Sequence, residues 1–290
     1  MIQRVLGIDL ASSTWASIGS ATIAFDHEEG SFTEVVAGAM AWPAVPLTPH
    51  ALADAIDAFA RREGIRAVAM DGPQGFRDPA TPAGLPGVGR RCEYECRTQG
   101  KTGAYPQTFP GTQRPWIEFC VDVFSQLLTR PDVALADPAV PRPQGTTYLL
   151  LECFPTSAWR ASGLVSLPAK SRHPDLAPYW RALRRAYELP RCRISTHDDL
   201  QAIVAALAAV AAVDGPAIAL PRGRPASLLE TRDRSRLRIE GYIWDVSPSG
   251  LAGLNAPRAF RSSAAPPTWT SHSRSRRTSS AARTARREPR

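Results

Sequence analysis

Three carboxylates stand where a folding chain tolerates them least. Asp9 closes the apolar run Val5-Leu6-Gly7-Ile8, and Asp71 closes Ala67-Val68-Ala69-Met70. Glu152 interrupts Tyr148-Leu149-Leu150-Leu151 just before Cys153 and Phe154. Each run has the length and composition of a buried strand. An ionised carboxylate in such a setting is costly unless a cation, a hydrogen-bond network or a solvent-lined cleft compensates it. One such residue is explained by a strand-end acid that caps a loop. Three, in separate strands of one sheet, predict acids that converge at one edge. Like charges held together favour a hard divalent cation, and Mg²⁺ or Mn²⁺ takes oxygen ligands. Two such ions about 4 Å apart form the clamp used in phosphodiester cleavage.

The pattern around these runs reads as α/β. Val5–Leu10, Trp15–Phe25 and Phe32–Trp42 predict a three-strand antiparallel meander, with a polar turn at Asp26–Gly30. Thr48-Pro49 opens a helix that Gly64 stops. The strand ending at Asp71 then follows. A strand, a helix and a strand in that order predict a crossover that makes the fourth strand parallel to the first. A short helix is expected at Arg90–Thr98, a stronger one at Trp116–Thr129, and a Pro-rich linker at residues 130–146. A strand over Thr147–Phe154, a helix through Leu176–Tyr187 and an Ala-rich helix over Thr196–Val213 follow. The last has Leu200, Ile203, Val204, Leu207 and Val210 on one face. Glu240–Trp244 predicts a short last strand or turn.

Charge sharpens the domain reading. The chain carries 35 Lys and Arg against 27 Asp and Glu, a net charge of +8. Residues 258–290 alone hold nine Arg and one Glu, so the first 257 residues are neutral. We expect a folded domain over residues 1–254, with an insertion at about 76–146, and a disordered Arg/Ser-rich tail over 255–290. The basic pI belongs to that tail and gives no ground for assigning nucleic-acid binding to the whole chain. No apolar run is long enough for a membrane span. Five cysteines without framework spacing suggest free thiols in a cytoplasmic protein. Cys92 and Cys96 are four apart, but zinc needs two further soft ligands.

A fourth acid is expected from Thr196-His197-Asp198-Asp199 at the start of the Ala-rich helix. An Asp there is first of all a cap, favoured by the helix dipole. Helical spacing turns Asp199 toward the apolar face, and His197 lies beside the acids.

Taken in order, Gly7-Ile8-Asp9-Leu10-Ala11, Met70-Asp71-Gly72-Pro73-Gln74-Gly75, Arg91-Cys92-Glu93 with Arg97, Leu151-Glu152-Cys153-Phe154-Pro155, His197-Asp198 with Ala202, and Glu240-Gly241-Tyr242-Ile243-Trp244 resemble the domain-of-unknown-function 429 family. That family is described as predicted nucleases of ribonuclease H-like fold, and the resemblance spans about Val5 to Asp245. It implies a mixed sheet with ribonuclease H-like strand order, flanked by helices. It also implies a Mg²⁺ or Mn²⁺ centre in which Asp9, Asp71 and Glu152 are catalytic and ligating. The family pattern places acids at Asp198 and at Gln201; here the second is an uncharged amide. Asp198 and Asp199 therefore both stand as fourth-ligand candidates. Arg91, Arg97 and Lys101 are candidate phosphate contacts, and nucleic acid is the implied partner.

Two other readings compete. Gly-Ile-Asp-Leu-Ala also resembles the phosphate loop of actin-like phosphotransferases, although a second phosphate loop and a Gly-rich adenosine motif are missing. A degenerate binding module would account for Gln201.

Overall fold

The three-strand opening is built on alternation and a tight turn. In the computed structural model, which describes residues 1–81, 89–214, 219–230 and 236–248, β1 (Ile2–Asp9) pairs antiparallel with β2 (Gly19–Asp26), which pairs antiparallel with β3 (Ser31–Ala37). Both later strands are shorter than the pattern predicts. Trp15–Ser17 forms a 3-10 turn instead of strand, and β3 ends before Gly38, whose φ of +63° takes the chain out of extended geometry.

Helix α1 (Pro49–Arg62) begins where expected: the Thr48 hydroxyl accepts from the Ala51 N–H at 3.1 Å, and Pro49 fills the first turn. The crossover through α1 returns the chain as β4 (Ile65–Asp71), parallel to β1. The segment that follows carries α2 (Arg91–Glu95), α3 (Arg114–Leu127) and β5 (Val133–Leu135). That three-residue strand lies inside the expected Pro-rich linker; it is too short to show a period. Next come β6 (Tyr148–Cys153), α4 (Pro155–Ala161), α5 (Ala177–Tyr187), α6 (His197–Asp214), β7 (Ala219–Glu230) and β8 (Arg236–Val246).

The sheet order is β3-β2-β1-β4-β6-β8-β7, with β5 also paired to β6. This is an α/β fold with a mixed sheet flanked by helices, compatible with a ribonuclease H-like fold. The last element is larger than expected. Glu240–Trp244 belongs to an eleven-residue strand in a long hairpin with β7, and Pro221, Gly223 and Pro225 hid β7 from a reading by propensity.

One face of the sheet packs on α1 and α3 around Leu52, Ile56, Cys120 and Phe124. The other packs on α6. That helix is not amphipathic: every residue from Asp198 to Ala211 is buried, because α4, α5 and the sheet enclose it. It lies unusually close to the strands. A Cβ on Gly7 would fall 2.0 Å from the Ala202 carbonyl oxygen, and one on Gly19 would fall 2.2 Å from Asp198 backbone atoms. Only glycine at these two positions lets the α6 N-terminus press onto the ends of β1 and β2.

Met1–Asn255 forms one compact unit. The Arg/Ser-rich tail lies outside the described residues. No helix among the described residues is long and apolar enough to cross a membrane.

Candidate metal centre

Strand register fixes which acids meet. β1 and β4 are parallel neighbours, and Asp9 stands opposite Asp71 at their last paired position. In β1 the α6-facing set is Val5, Gly7 and Asp9, and in β4 it is Ala67, Ala69 and Asp71, as their places in the core and against α6 require. The two carboxyls stand side by side, close enough that each shifts the titration of the other. Both keep a thin solvent-facing edge, yet protein surrounds most of each. Burial pushes Asp9 well above the usual carboxylate range, and the charges of Asp71 and Asp198 add to it. Burial likewise raises Asp71 to about 7; Glu152 adds to the rise, while Asp9 and Lys101 oppose it.

The α6 N-terminus completes the cluster. Ligand atoms of Asp9, His197 and Asp198 all lie within 4.8 Å of one another. Asp198 is buried, which raises its pKa, but His197 and Lys170 outweigh that and hold the carboxyl below its ordinary value. The Lys170 ammonium touches Asp198 Oδ2 directly. His197 Nε2 lies 2.9 Å from the Pro168 carbonyl oxygen, which accepts its proton, and Asp198 raises the imidazole above its ordinary pKa, so Nδ1 offers a lone pair once the ring loses its second proton. Nδ1 is buried 3.5 Å from Asp198 Oδ1 and has no well-aligned partner among the described residues. An orphaned imidazole nitrogen beside two carboxylates is a donor set that fits a divalent cation. The imidazole moves the preference toward Mn²⁺ and away from Mg²⁺.

Glu152 takes a different place from the one expected. In the parallel register Met70, not Asp71, stands opposite Glu152. One position along a strand changes the face, so Glu152 points away from α6. Both of its oxygens accept from Arg90, at 2.8 and 2.6 Å, and one also accepts the Gln74 N–H at 2.9 Å. Its compensating cation is a buried guanidinium, and Glu152 stands apart from the cluster of Asp9, His197 and Asp198. Arg90 is 1% exposed and also meets Glu93, whose carboxylate accepts the backbone N–H groups of Arg90, Lys101 and Thr102. This pair therefore fastens the α2 segment to β6.

The other expected residues divide. Asp199 turns to β2, where its Oδ1 lies 3.4 Å from the Ser20 N–H, and leaves the ligand position to Asp198. Gln201 is no ligand: its Oε1 accepts from the Trp159 indole at 2.9 Å. Arg91 is exposed and pairs with Glu95 at 2.7 Å, and Arg97 is exposed. Lys101 alone of the three cations reaches the acids. It lines a cavity of about 30 Å³ with Asp71, Glu152, Trp116 and Phe154.

Two contributors escaped the sequence reading. Arg90 sits among several arginines with nothing local to single it out. Lys170 lies in a loop without periodicity, but composition held a signal. The chain has only two lysines, Lys101 and Lys170, against 33 arginines, and both stand beside the carboxylates.

No protein-family model matches this chain, and neither a curated protein nor a solved structure matches it.

Proposed function

We propose that the protein is a divalent-metal-dependent hydrolase of phosphate esters, with a nucleic-acid phosphodiester as its substrate. The observation that carries this reading is the convergence of Asp9 from β1 with His197 and Asp198 from the start of α6, whose ligand atoms lie within 4.8 Å of one another, with Asp71 beside Asp9 on β4. Asp9 is the hub, since it faces Asp71 on one side and Asp198 on the other. Asp9, Asp198 and His197 would hold the cation. When bound, a divalent ion supplies Lewis-acid neutralisation of charge on a phosphoryl group.

The chain's own residues have separable roles in this reading. Asp71, raised to about 7, changes protonation near neutral pH and is the group fitted to take a proton from an attacking water. Lys101, beside Asp71, offers a compact point charge to a phosphoryl oxygen. The Pro168 carbonyl keeps the His197 ring in the tautomer that presents Nδ1. Nucleic acid as the substrate rests on the resemblance in motif order.

The test is hydrolysis of bis-p-nitrophenyl phosphate and of single-stranded, duplex and hybrid oligonucleotides, with Mn²⁺ and with chelator. Mn²⁺-dependent turnover that disappears in Asp9→Asn and Asp71→Asn supports the reading. Turnover that persists in both variants removes the site.

A further inference from the structure

We infer that the outer face of α5 docks the phosphodiester backbone of a nucleic-acid strand beside the acid centre of Asp9, His197 and Asp198, an inference that rests on the reading of nucleic acid as the substrate. Charge distribution is the first observation. Residues 170–193 hold Lys170 and six arginines, Arg172, Arg181, Arg184, Arg185, Arg191 and Arg193, against two acids, Asp175 and Glu188. The first 257 residues are neutral as a whole, so this stretch is basic while the rest of them is acidic.

Pairing is the second. None of the six guanidinium groups makes a hydrogen bond or an ion pair among the described residues, whereas Arg4, Arg61, Arg62, Arg114 and Arg130 each reach a carboxylate. Five of the six are exposed and Arg184 is half-buried. A guanidinium without a carboxylate is free to take a phosphate, which its planar fork meets bidentately.

The third is where this stretch is rooted. The Pro168 carbonyl oxygen lies 2.9 Å from His197 Nε2, Lys170 touches Asp198, and the chain re-enters α6 at His197. Residues 168–198 thus leave and rejoin the protein at the acid centre. On this excursion α5 has a fixed orientation: Leu183 and Tyr187 are each 1% exposed, and the Tyr187 hydroxyl donates to the Val246 carbonyl at 3.2 Å. Arg181, Arg184 and Arg185, three and four residues apart, fall together on the opposite side.

The same observations favour a nucleic-acid strand over a lipid surface. Among the described residues, no large apolar side chain of 170–196 is exposed, and the apolar face of α5 is turned to the core. Membrane docking by a basic helix needs an apolar face to insert. A phosphate backbone is held chiefly by charge.

The test is fluorescence anisotropy of labelled single-stranded and duplex oligonucleotides with the full chain in chelator, between about 50 and 200 mM salt. A triple variant, Arg181→Gln, Arg184→Gln and Arg185→Gln, is compared with a second, Arg4→Gln, Arg62→Gln and Arg66→Gln, which removes the same charge around the opposite ends of β1 and β4. The basic tail is common to both. The α5 variant is expected to bind at least about tenfold more weakly, with a salt slope shallower by about 2, the loss of three phosphate contacts. The second variant should bind as the wild type does. Undiminished binding by the α5 variant, or equal loss in both, overturns the proposal. So does a wild type that binds no oligonucleotide, whether or not it sediments with phosphatidylserine vesicles. Should the α5 variant fail to fold, Arg181→Gln with Arg185→Gln, both exposed, decides. Wild-type turnover of bis-p-nitrophenyl phosphate reads the acid centre alone: its absence, with α5-dependent binding intact, removes the catalytic reading and keeps this one.

Discussion

Asp9 and Asp71 end adjacent parallel strands in register, and burial of the paired carboxyls raises the pKa of both. That relationship has a pH consequence. An acid whose folded pKa lies above its unfolded one binds more protons when folded, so it favours folding at low pH and loses that contribution as pH rises. For Asp71 the window runs from its ordinary 3.8 up to about 7. We predict that the metal-free protein melts several degrees lower at pH 8 than at pH 5, at about 2–4 °C per kcal/mol for a domain of this size. Asp9→Asn, which replaces the neighbouring acid with an amide that can donate to Asp71, should flatten this slope. Differential scanning fluorimetry across pH measures it; an equal slope in both proteins would count against the coupling of the two acids.

Arg90 and Glu152 behave as a buried pair, not as part of the ligand set. Removing only the cation strands an uncompensated carboxylate, which costs about 3–5 kcal/mol. We therefore expect Arg90→Met to lower stability by that order in urea unfolding, and Arg90→Met combined with Glu152→Leu to recover much of it. Equal loss in the single and double variants would show that the pair is not what fastens the α2 segment.

Lys170 touches Asp198 and stands near Asp9, so its ammonium competes with any cation for the same field. Lys170→Gln should tighten Mn²⁺ binding about fivefold, the scale of a largely exposed ion pair. Weaker binding in that variant would mean that Lys170 supports the ligands instead of competing.

Gly7 and Gly19 set how closely α6 approaches the acids. A methyl group on Gly7 has no room beside the Ala202 carbonyl, so Gly7→Ala must displace α6 or bend β1. We expect a loss of about 3 kcal/mol, together with weakened Mn²⁺ binding, because His197 and Asp198 move with the helix. Unchanged melting and unchanged binding would contradict the packing described.

Much of this was legible in the sequence, for physical reasons. Hydrophobic runs gave β1, β4 and β6, and the capped helix between the first two gave the parallel crossover. An acid at the end of each run gave the notion of a shared edge. Register was not legible. Glu152 stands one residue short of the place opposite Asp71, and one residue decides the face of the sheet. The choice of Asp198 over Asp199 also lay beyond helical spacing, because α6 is enclosed on all sides and has no single inward face. The roles of Arg90 and Lys170 come from tertiary pairing between distant segments, which leaves no local pattern.

Calorimetric titration with Mn²⁺ tests the central claim most directly, comparing wild type with Asp9→Asn and Glu152→Gln. The convergence of Asp9, Asp198 and His197 predicts binding in the wild type, at least about tenfold weaker binding in Asp9→Asn, and near-wild-type binding in Glu152→Gln. An Asp9→Asn protein that binds Mn²⁺ as the wild type does, or a wild type that binds none, would contradict it.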